Sequence, residues 1–401
     1  MCGEPRHSVL TEVVIRIFLS GLVVLVAAVL IGVFRILPAH VDNDMNRVHP
    51  HAPYQISGQA SALHEALRVA DLHSDMLLWM RNPRRWNGRG HTDIPRLAHS
   101  NVRLQVFASV TKTPSGQNYE SNSADSDNIT ALAVVQRWPV DTWNSLFARA
   151  RFHARRLQRV EQAGNELVIG RTSSDLRIAL EDPQGPMVAL LATEGAHSLE
   201  GAIDNLQRLH DEGYRILGLH HFFDNALGGS LHGLDGAGLS AFGEQVVLQA
   251  VEMGMVIDVA HSSHQVVRDV LALGEVPVIV SHTGIYGHCQ TQRNLPDTLM
   301  REIAEAGGLI GIGFWADVTC DDSPAGVARA IVAAVDLVGV DHVALGSDYD
   351  GTITASFDGA ELSVLTHELL RLGVSPEAVA QIMGENAIRF FLANLPEGGG
   401  E

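Results

Sequence analysis

Apolar stretches recur along the chain at a nearly regular spacing, and they predict strands that alternate with helices. Eight short runs are almost continuously apolar, as in Val278-Ile279-Val280, which is typical of parallel strands covered on both faces. Each run precedes a segment with helical periodicity. The predicted strands are 68–75, 104–110, 186–193, 215–219, 255–259, 277–280, 309–314 and 342–345. This order predicts an α/β fold, a (β/α)8 TIM barrel.

A doubly wound open sheet is the competing architecture for the same alternation. A dinucleotide-binding sheet would carry a Gly-x-Gly-x-x-Gly turn after its first strand, and the chain has no such turn there. Residues 112–128 are rich in Ser, Asn, Asp and Gly and predict a mobile loop. Residues 129–164 have the periodicity of one long amphipathic helix.

The N-terminal region has a different pattern, an uninterrupted apolar stretch. Residues 17–34 contain no charge and lie between Arg16 and Arg35. As a helix they would span roughly 27 Å, close to the thickness of a bilayer's hydrocarbon core. We therefore predict an N-terminal transmembrane helix that acts as an uncut signal anchor. The alternatives are a cleaved signal peptide, which the poor cleavage site at 38–40 disfavours, and a buried core helix.

These patterns together predict the organisation of the chain. It comprises an N-terminal tail (1–12), a transmembrane signal anchor (13–37), a linker (38–60), a barrel domain (61–395) and a flexible tail (396–401). Basic residues nearly balance on the two sides of the anchor, so charge does not fix its orientation.

Charge and cysteine content narrow the class of protein. The formal net charge is −18 and Lys112 is the only lysine, so the chain lacks the basic surface of a nucleic-acid-binding protein. Cys2 precedes the apolar stretch. Cys289 and Cys320 lie in the barrel region and either pair in an oxidising compartment or stay buried as free thiols.

Side chains that bind metals or move protons fall at the carboxyl ends of six predicted strands. In a barrel these ends meet at one rim, where active sites form. His73 and Asp75 are two residues apart and so point to one side of their strand. One such residue alone is more often a surface or turn residue, and it is the shared position that indicates a site. The other candidates are Glu194, His220, His221, His261, His282 and Asp348.

The types of ligand indicate the kind of metal centre. Imidazole and carboxylate groups without cysteine favour zinc, with manganese and cobalt as alternatives. Five such groups exceed the needs of one tetrahedral catalytic ion, so two ions that share a carboxylate would explain them. Some barrel hydrolases bridge their metals with a modified lysine, but Lys112 lies in a polar loop. Glu194 is therefore the expected bridge.

In their order, these motifs resemble the membrane (renal-type) dipeptidases, peptidase family M19 of the amidohydrolase superfamily. The resemblance covers roughly residues 65–395. Its motifs are Asp71-Leu72-His73-Ser74-Asp75, His91-Thr92-Asp93-Ile94-Pro95-Arg96-Leu97, Glu194-Gly195-Ala196-His197-Ser198, Leu219-His220-His221-Phe222, Asp258-Val259-Ala260-His261, Ser281-His282-Thr283, Gln292-Arg293-Asn294-Leu295-Pro296-Asp297 and Gly346-Ser347-Asp348-Tyr349-Asp350-Gly351. Each motif is modest alone, whereas the ordered set is specific.

The resemblance implies a cofactor of two zinc ions per chain. His73, Asp75 and Glu194 would hold one ion. Glu194, His261 and His282 would hold the second, so that Glu194 bridges the pair.

The resemblance also implies the catalytic and substrate-binding residues. His221 would face the substrate and stabilise the oxyanion, although the adjacent His220 leaves this assignment open by one residue. Arg293 would bind the dipeptide carboxylate, a task that suits a planar guanidinium. Asp348 would move the proton while a hydroxide that bridges the metals attacks the peptide carbonyl.

The implied function is a binuclear zinc dipeptidase whose partners are dipeptide substrates. The alternative is another metal-dependent amidohydrolase on the same barrel, acting on a lactone, an N-acyl amino acid or a β-lactam. Arg293 favours a substrate with a free carboxylate. A binding module without activity would be expected to lack Glu194 or Asp348, and both are present.

Localisation follows from the anchor and the cysteines. Cys289 and Cys320 fall where members of the family have a disulfide, so the resemblance favours their pairing. With the N-terminal helix in a lipid bilayer, this indicates a single-pass protein of a bacterial inner membrane with a periplasmic catalytic domain. Mammalian members use a C-terminal lipid anchor instead, and the Gly-rich tail after Leu395 does not resemble one. The family often forms dimers, which leaves a homodimer open.

Overall fold

The computed structural model describes residues 6–398. The strands, in chain order, are β1 (Arg47–Val48), β2 (Val69–Ser74), β3 (Val102–Val110), β4 (Leu167–Ile169), β5 (Met187–Glu194), β6 (Tyr214–Gly218), β7 (Val256–Asp258), β8 (Val278–Thr283), β9 (Leu309–Ile312), β10 (Val343–Leu345) and β11 (Thr354–Ala355).

Sixteen α-helices are described in the same range, and short 3₁₀ or π segments adjoin several of them. They are α1 (Arg6–Ile31), α2 (Leu37–Met45), α3 (Gly58–Ala66), α4 (Ile94–His99), α5 (Asn128–Val135), α6 (Leu146–Ala163), α7 (Ser173–Glu181), α8 (Asp204–Asp211), α9 (Ala241–Glu252), α10 (His264–Ala272), α11 (Asp297–Glu305), α12 (Ala316–Thr319), α13 (Pro324–Val338), α14 (Ser363–Arg371), α15 (Pro376–Ala380) and α16 (Asn386–Asn394).

Eight parallel strands close into a barrel, which confirms the predicted fold class. The strand order is β3-β2-β10-β9-β8-β7-β6-β5, and β5 pairs back onto β3 along the register from Leu104–Val188 to Val110–Glu194. This closure excludes the open sheet. All eight predicted strands are present, and every residue within their observed bounds is buried.

Between β3 and β5, two features differ from the sequence prediction. The single helix expected over 129–164 is divided into α5, a 3₁₀ turn (Val140–Trp143) and α6, because Arg137 has a left-handed φ of 58° and Pro139 cannot continue a helix. A short extra strand, β4, pairs with the start of β5.

Alternation along β5 explains how an apolar strand ends in a candidate metal ligand. Val188, Leu190 and Ala192 belong to a buried cluster with members from all eight barrel strands, which therefore fills the barrel interior. Glu194 continues this series of alternate residues. It therefore projects from the carboxyl end of the apolar interior, at the rim where the other candidates lie.

The N-terminal helix is long and apolar enough to cross a membrane. Its candidate span is Thr11–Met45, with a mean hydropathy of 2.9 in the most apolar window and none of that window buried. The helix runs beyond the predicted end at 37, through a π turn (Gly32–Ile36) into α2. Residues 1–5 and 399–401 lie outside the described residues, and with them Cys2 and parts of both predicted tails.

The segment 38–60, predicted as a linker, is folded against the barrel. After α2, strand β1 pairs in parallel with β11, and the His49 amide donates to the Ala355 carbonyl at 2.9 Å. Ser57 then caps α3 by accepting a hydrogen bond from the Ala60 amide.

The predicted disulfide is present. Cys289, in the loop after β8, is bonded to Cys320 at the end of α12. The bond closes a loop of 31 positions between two segments at the carboxyl end of the barrel.

Candidate active site

Glu194 lies at the centre of the candidate site. Its Oε2 is 3.4 Å from His73 Nε2, whereas its Oε1 is 3.4 Å from His261 Nε2 and 3.6 Å from His282 Nε2. Asp75 Oδ1 is 3.7 Å from His73 Nε2. The five residues predicted as metal ligands are thus brought together, with one carboxylate oxygen of Glu194 facing each half of the set.

The ligand atoms are arranged as a cation site requires. His73 Nε2, Asp75 Oδ1 and Glu194 Oε2 are buried and have no hydrogen-bond partner among the described residues. His261 Nε2 and His282 Nε2 face each other at 2.9 Å. Buried polar atoms are costly when unpaired, and a bound cation would satisfy them. The residues present therefore fit a metal centre. Within the described part of the chain, three groups of side chains are close enough to hold a cation: His73 with Glu194 and His282; Glu194 with His221 and His261; and His73 with Asp75 and Asp348.

The pKa values of the histidines in the site are shifted in two opposite directions. Burial lowers the pKa of His261 and His282, and nearby Arg293 lowers it further, so these rings are neutral as metal ligands must be. For His73, burial also acts to lower the pKa, but the carboxylates of Glu194 and Asp75 outweigh it and raise the pKa well above its ordinary value. The electrostatic field of these carboxylates therefore favours positive charge at this point.

Asp348 lies beside the proposed ligands. Its Oδ1 is 3.9 Å from His73 Nε2, and burial raises its carboxyl pKa well above the ordinary value. The residue has a left-handed φ of 59°, as does His261 at 60°. Residues other than glycine rarely adopt this conformation, and strained backbone of this kind clusters at active sites.

His221 points into the site and His220 points away from it. His221 Nε2 is 3.5 Å from Glu194 Oε1, and its Nδ1 is 3.3 Å from the Lys112 carbonyl. His220 Nδ1 is instead 3.0 Å from the Ser262 hydroxyl. The geometry thus favours His221 over His220 as the histidine that faces the substrate.

Arg293 lies beside His261 and His282. Its side chain is buried, and Nη2 donates to the His282 carbonyl at 2.8 Å. Nη2 is also 3.4 Å from His261 Nε2, and the guanidinium carbon is 5.7 Å from the Trp315 ring centroid. A fixed cation of this kind can bind a carboxylate next to the metal ligands.

Ser281 supports two of the proposed ligands, a role that the sequence did not reveal. Its Oγ is 3.2 Å from His73 Nδ1 and 2.8 Å from His282 Nδ1. Its amide donates to Asp258 Oδ1 at 3.0 Å. Such contacts on the far nitrogen fix the orientation of a ligating imidazole. The signal was present, because Ser281 and Asp258 both stand within the strand-end motifs.

The 112–128 loop, predicted as mobile, is hydrogen-bonded over the site. The Tyr119 hydroxyl accepts from Trp315 Nε1 at 3.1 Å, and the Asn122 amide donates to the His232 carbonyl at 2.8 Å. Burial raises the pKa of Tyr119 to about 12. Sequence reasoning missed Tyr119 and Trp315 because it searched strand ends for ligand-type side chains only.

Comparisons with known proteins find a family and relatives that are named dipeptidases. The sequence profile of the membrane dipeptidase family (peptidase family M19) matches residues 57–394. The chain is 32% identical over 237 residues to a protein named dipeptidase aclJ from Aspergillus oryzae, covering 56% of this chain and 55% of that protein. It is 28% identical over 310 residues to dipeptidase verJ from Clonostachys rogersoniana, covering 75% of this chain and 74% of that protein.

A solved structure shares the fold. It is a metallopeptidase from Rhodobacter sphaeroides with a bound phosphinate mimic of the dipeptide L-Ala-D-Ala. The TM-score is 0.67 at 24% sequence identity, and the match covers 82% of this chain and 99% of that one.

Proposed function

The chain belongs to the membrane dipeptidase family, and from this premise we propose that it is a zinc-dependent dipeptidase that hydrolyses the peptide bond of dipeptides. The family implies dependence on a metal. The proposal adds two zinc ions, one held by His73, Asp75 and Glu194 and the other by Glu194, His261 and His282.

The observation that carries this proposal is the position of Glu194. Its two carboxylate oxygens face different imidazoles, at 3.4 Å from His73 Nε2 and 3.4 Å from His261 Nε2. A carboxylate that faces ligands on both sides can hold two cations at once. A single tetrahedral ion would not require such a bridging carboxylate.

The residues around the ligands supply the rest of the chemistry. When bound, the metal ions would lower the pKa of a water and polarise the scissile carbonyl. Arg293 would bind the substrate's free carboxylate and so fix the position of the peptide bond. His221 would stabilise the oxyanion. Asp348 would accept a proton from the attacking water and donate it to the leaving amine nitrogen, which yields two free amino acids.

The single N-terminal apolar helix is consistent with a membrane anchor. We propose that it holds the enzyme at a bacterial inner membrane with the catalytic domain in the periplasm. The disulfide between Cys289 and Cys320 supports this placement, because such bonds persist in oxidising compartments.

The test is turnover by the full chain in detergent, after metal removal by a chelator and again after zinc is returned. We expect hydrolysis of Gly-D-Ala and related dipeptides only with zinc. N-acyl amino acids, lactones and β-lactams serve as the comparison substrates. Cleavage of one of these classes without turnover of any dipeptide would assign the barrel to the alternative amidohydrolase chemistry.

A further inference from the structure

The last turns of the membrane helix contact the catalytic end of the barrel. Asp42 is the buried residue of α2, with 2% of its surface exposed, although the neighbouring Asn43 and Asp44 are exposed. Asn46, which follows α2, is equally buried at 2%. A buried carboxylate needs charged or hydrogen-bonding partners.

The partners of Asp42 form a chain of charges that leads to the active-site loop. Asp42 Oδ2 is 2.7 Å from Arg89 Nε and 3.3 Å from Arg81 Nε. Arg81 Nη2 is in turn 2.7 Å from Asp350 Oδ2. The side chains of Arg81 and Asp350 are 2% and 0% exposed, so a buried cation lies between two buried carboxylates.

A second path joins the same segment to the same loop. The Asn46 side chain donates to Asp42 Oδ1 at 3.1 Å and accepts from the Thr352 amide at 3.0 Å. The Arg47 carbonyl is 3.0 Å from His91 Nε2, and His91 Nδ1 accepts from the Asp350 amide at 3.0 Å.

The loop that receives these contacts, residues 346–352, has an unusual backbone. Asp348, Asp350 and Thr352 all have left-handed φ values, of 59°, 66° and 63°. Such residues persist only where surrounding contacts hold them. On the barrel side, the Ser347 amide and hydroxyl both donate to the buried Asp71 carboxylate. On the other side, Arg81 and Asn46 hold Asp350 and Thr352.

We propose that Asp42 is a positioning residue for Asp348. It holds Arg81 against Asp350 and thereby fixes the loop that presents the Asp348 carboxylate to the site. The end of the membrane helix is then part of the catalytic apparatus as well as a tether. This inference rests on the proposed function, in which Asp348 moves the proton.

The first test compares Asp42→Asn with Asp44→Asn in the full chain in detergent. Asp44 is an exposed carboxylate two residues along the same helix that pairs with Arg47 at 3.1 Å, so its variant is the matched control. For Asp42→Asn we expect kcat for a dipeptide to fall roughly tenfold, with KM and metal content little changed. An unchanged kcat, or a rise in KM alone, would overturn the proposal.

A double variant separates positioning from general destabilisation. If Asp42 acts through Asp348, adding Asp42→Asn to Asp348→Asn should cause little further loss of kcat. If Asp42→Asn lowers kcat by the same factor in the Asp348→Asn background as it does in the parent, Asp42 does not act through Asp348.

Hydrogen exchange tests the inference without activity. In Asp42→Asn, the amides of 346–352 should exchange several-fold faster than in the parent or in Asp44→Asn. If Asp42→Asn does not fold, Asn46→Ala should produce the same change, since it removes the link to Thr352. Unaltered exchange in the loop refutes the inference, whereas a parent that cleaves no dipeptide refutes the proposed function only.

Discussion

At the scale of single residues, the site depends on which side chain each strand presents at its carboxyl end. Strand periodicity was enough to predict that Glu194, His73 and His282 would lie at one rim of the barrel, because its parallel strands end there, and the family resemblance supplied the ligand sets. It could not predict Tyr119 or Asp42. Tyr119 contacts Trp315 and Asp42 contacts Arg81 and Arg89, through loop conformation and tertiary contacts that no local pattern encodes.

Asp348 provides the first test at this scale. Asp348→Asn keeps the size of the side chain but removes the group that would accept and return a proton. We expect kcat to fall on the order of 10²–10⁴-fold while metal content is retained. Steady-state kinetics with elemental analysis measures both quantities. Asp336→Asn, at an exposed position of α13, is the control, and full activity of Asp348→Asn would exclude the proton-transfer role.

Arg293 provides the second test. Arg293→Met removes the cation but keeps a long apolar side chain, so dipeptides should lose a charged hydrogen bond of about 1.5–3 kcal/mol, roughly 10- to 100-fold in KM. Dipeptide amides lack the carboxylate and should lose far less. Arg301→Met, at an exposed position in α11, is the matched control. Equal losses for both kinds of substrate would argue against carboxylate binding.

At the scale of elements, strands were predicted more accurately than helix ends. Long apolar runs mark the buried strands, and all eight were found in order. The break between α5 and α6 depends on the left-handed Arg137, a conformation that apolar periodicity does not report. Likewise, β4 is only three residues long, and it pairs with the start of β5, ahead of the residues of β5 that pair with β6.

Helix α3 provides a pH-dependent test at this scale. Burial lowers the pKa of His64 to about 4, where its ring lies 2.9 Å from the Thr366 hydroxyl and 3.2 Å from the Ser100 carbonyl. The unfolded chain takes up this proton near pH 6.5. Stability from neutral His64 is therefore complete above pH 6.5 and is lost as the pH falls toward 4, by about 2 kcal/mol between pH 7.5 and 5.

His64→Gln keeps hydrogen-bonding capacity without a titrating group. Chemical denaturation of the full chain at pH 7.5 and 5 should therefore show a smaller loss of unfolding free energy in this variant than in the parent. Titration of the metal site is common to both proteins and cancels in the comparison. His99→Gln, at an exposed position in α4, should behave like the parent. An identical loss in His64→Gln and the parent would contradict the assignment.

At the scale of the whole molecule, the barrel and the end of the N-terminal apolar helix form one connected structure. From the sequence, the chain was predicted to consist of an anchor, a linker and a domain, because residues 38–60 are polar and have no strong periodicity. The structure instead fixes 41–49 to the barrel through buried charges and a strand pair. Contacts of this kind depend on partners about 40 to 310 positions away, which a local sequence pattern does not contain.

The central claim is that residues from opposite parts of the barrel wall hold two metal ions through the shared carboxylate of Glu194. The most direct measurement is the metal content per chain, by elemental analysis, of the parent, Glu194→Ala and Glu305→Ala, whose carboxylate is exposed on α11. The parent and Glu305→Ala should each bind two zinc ions per chain, and Glu194→Ala should lose both. A Glu194→Ala protein that still holds two ions would contradict the claim.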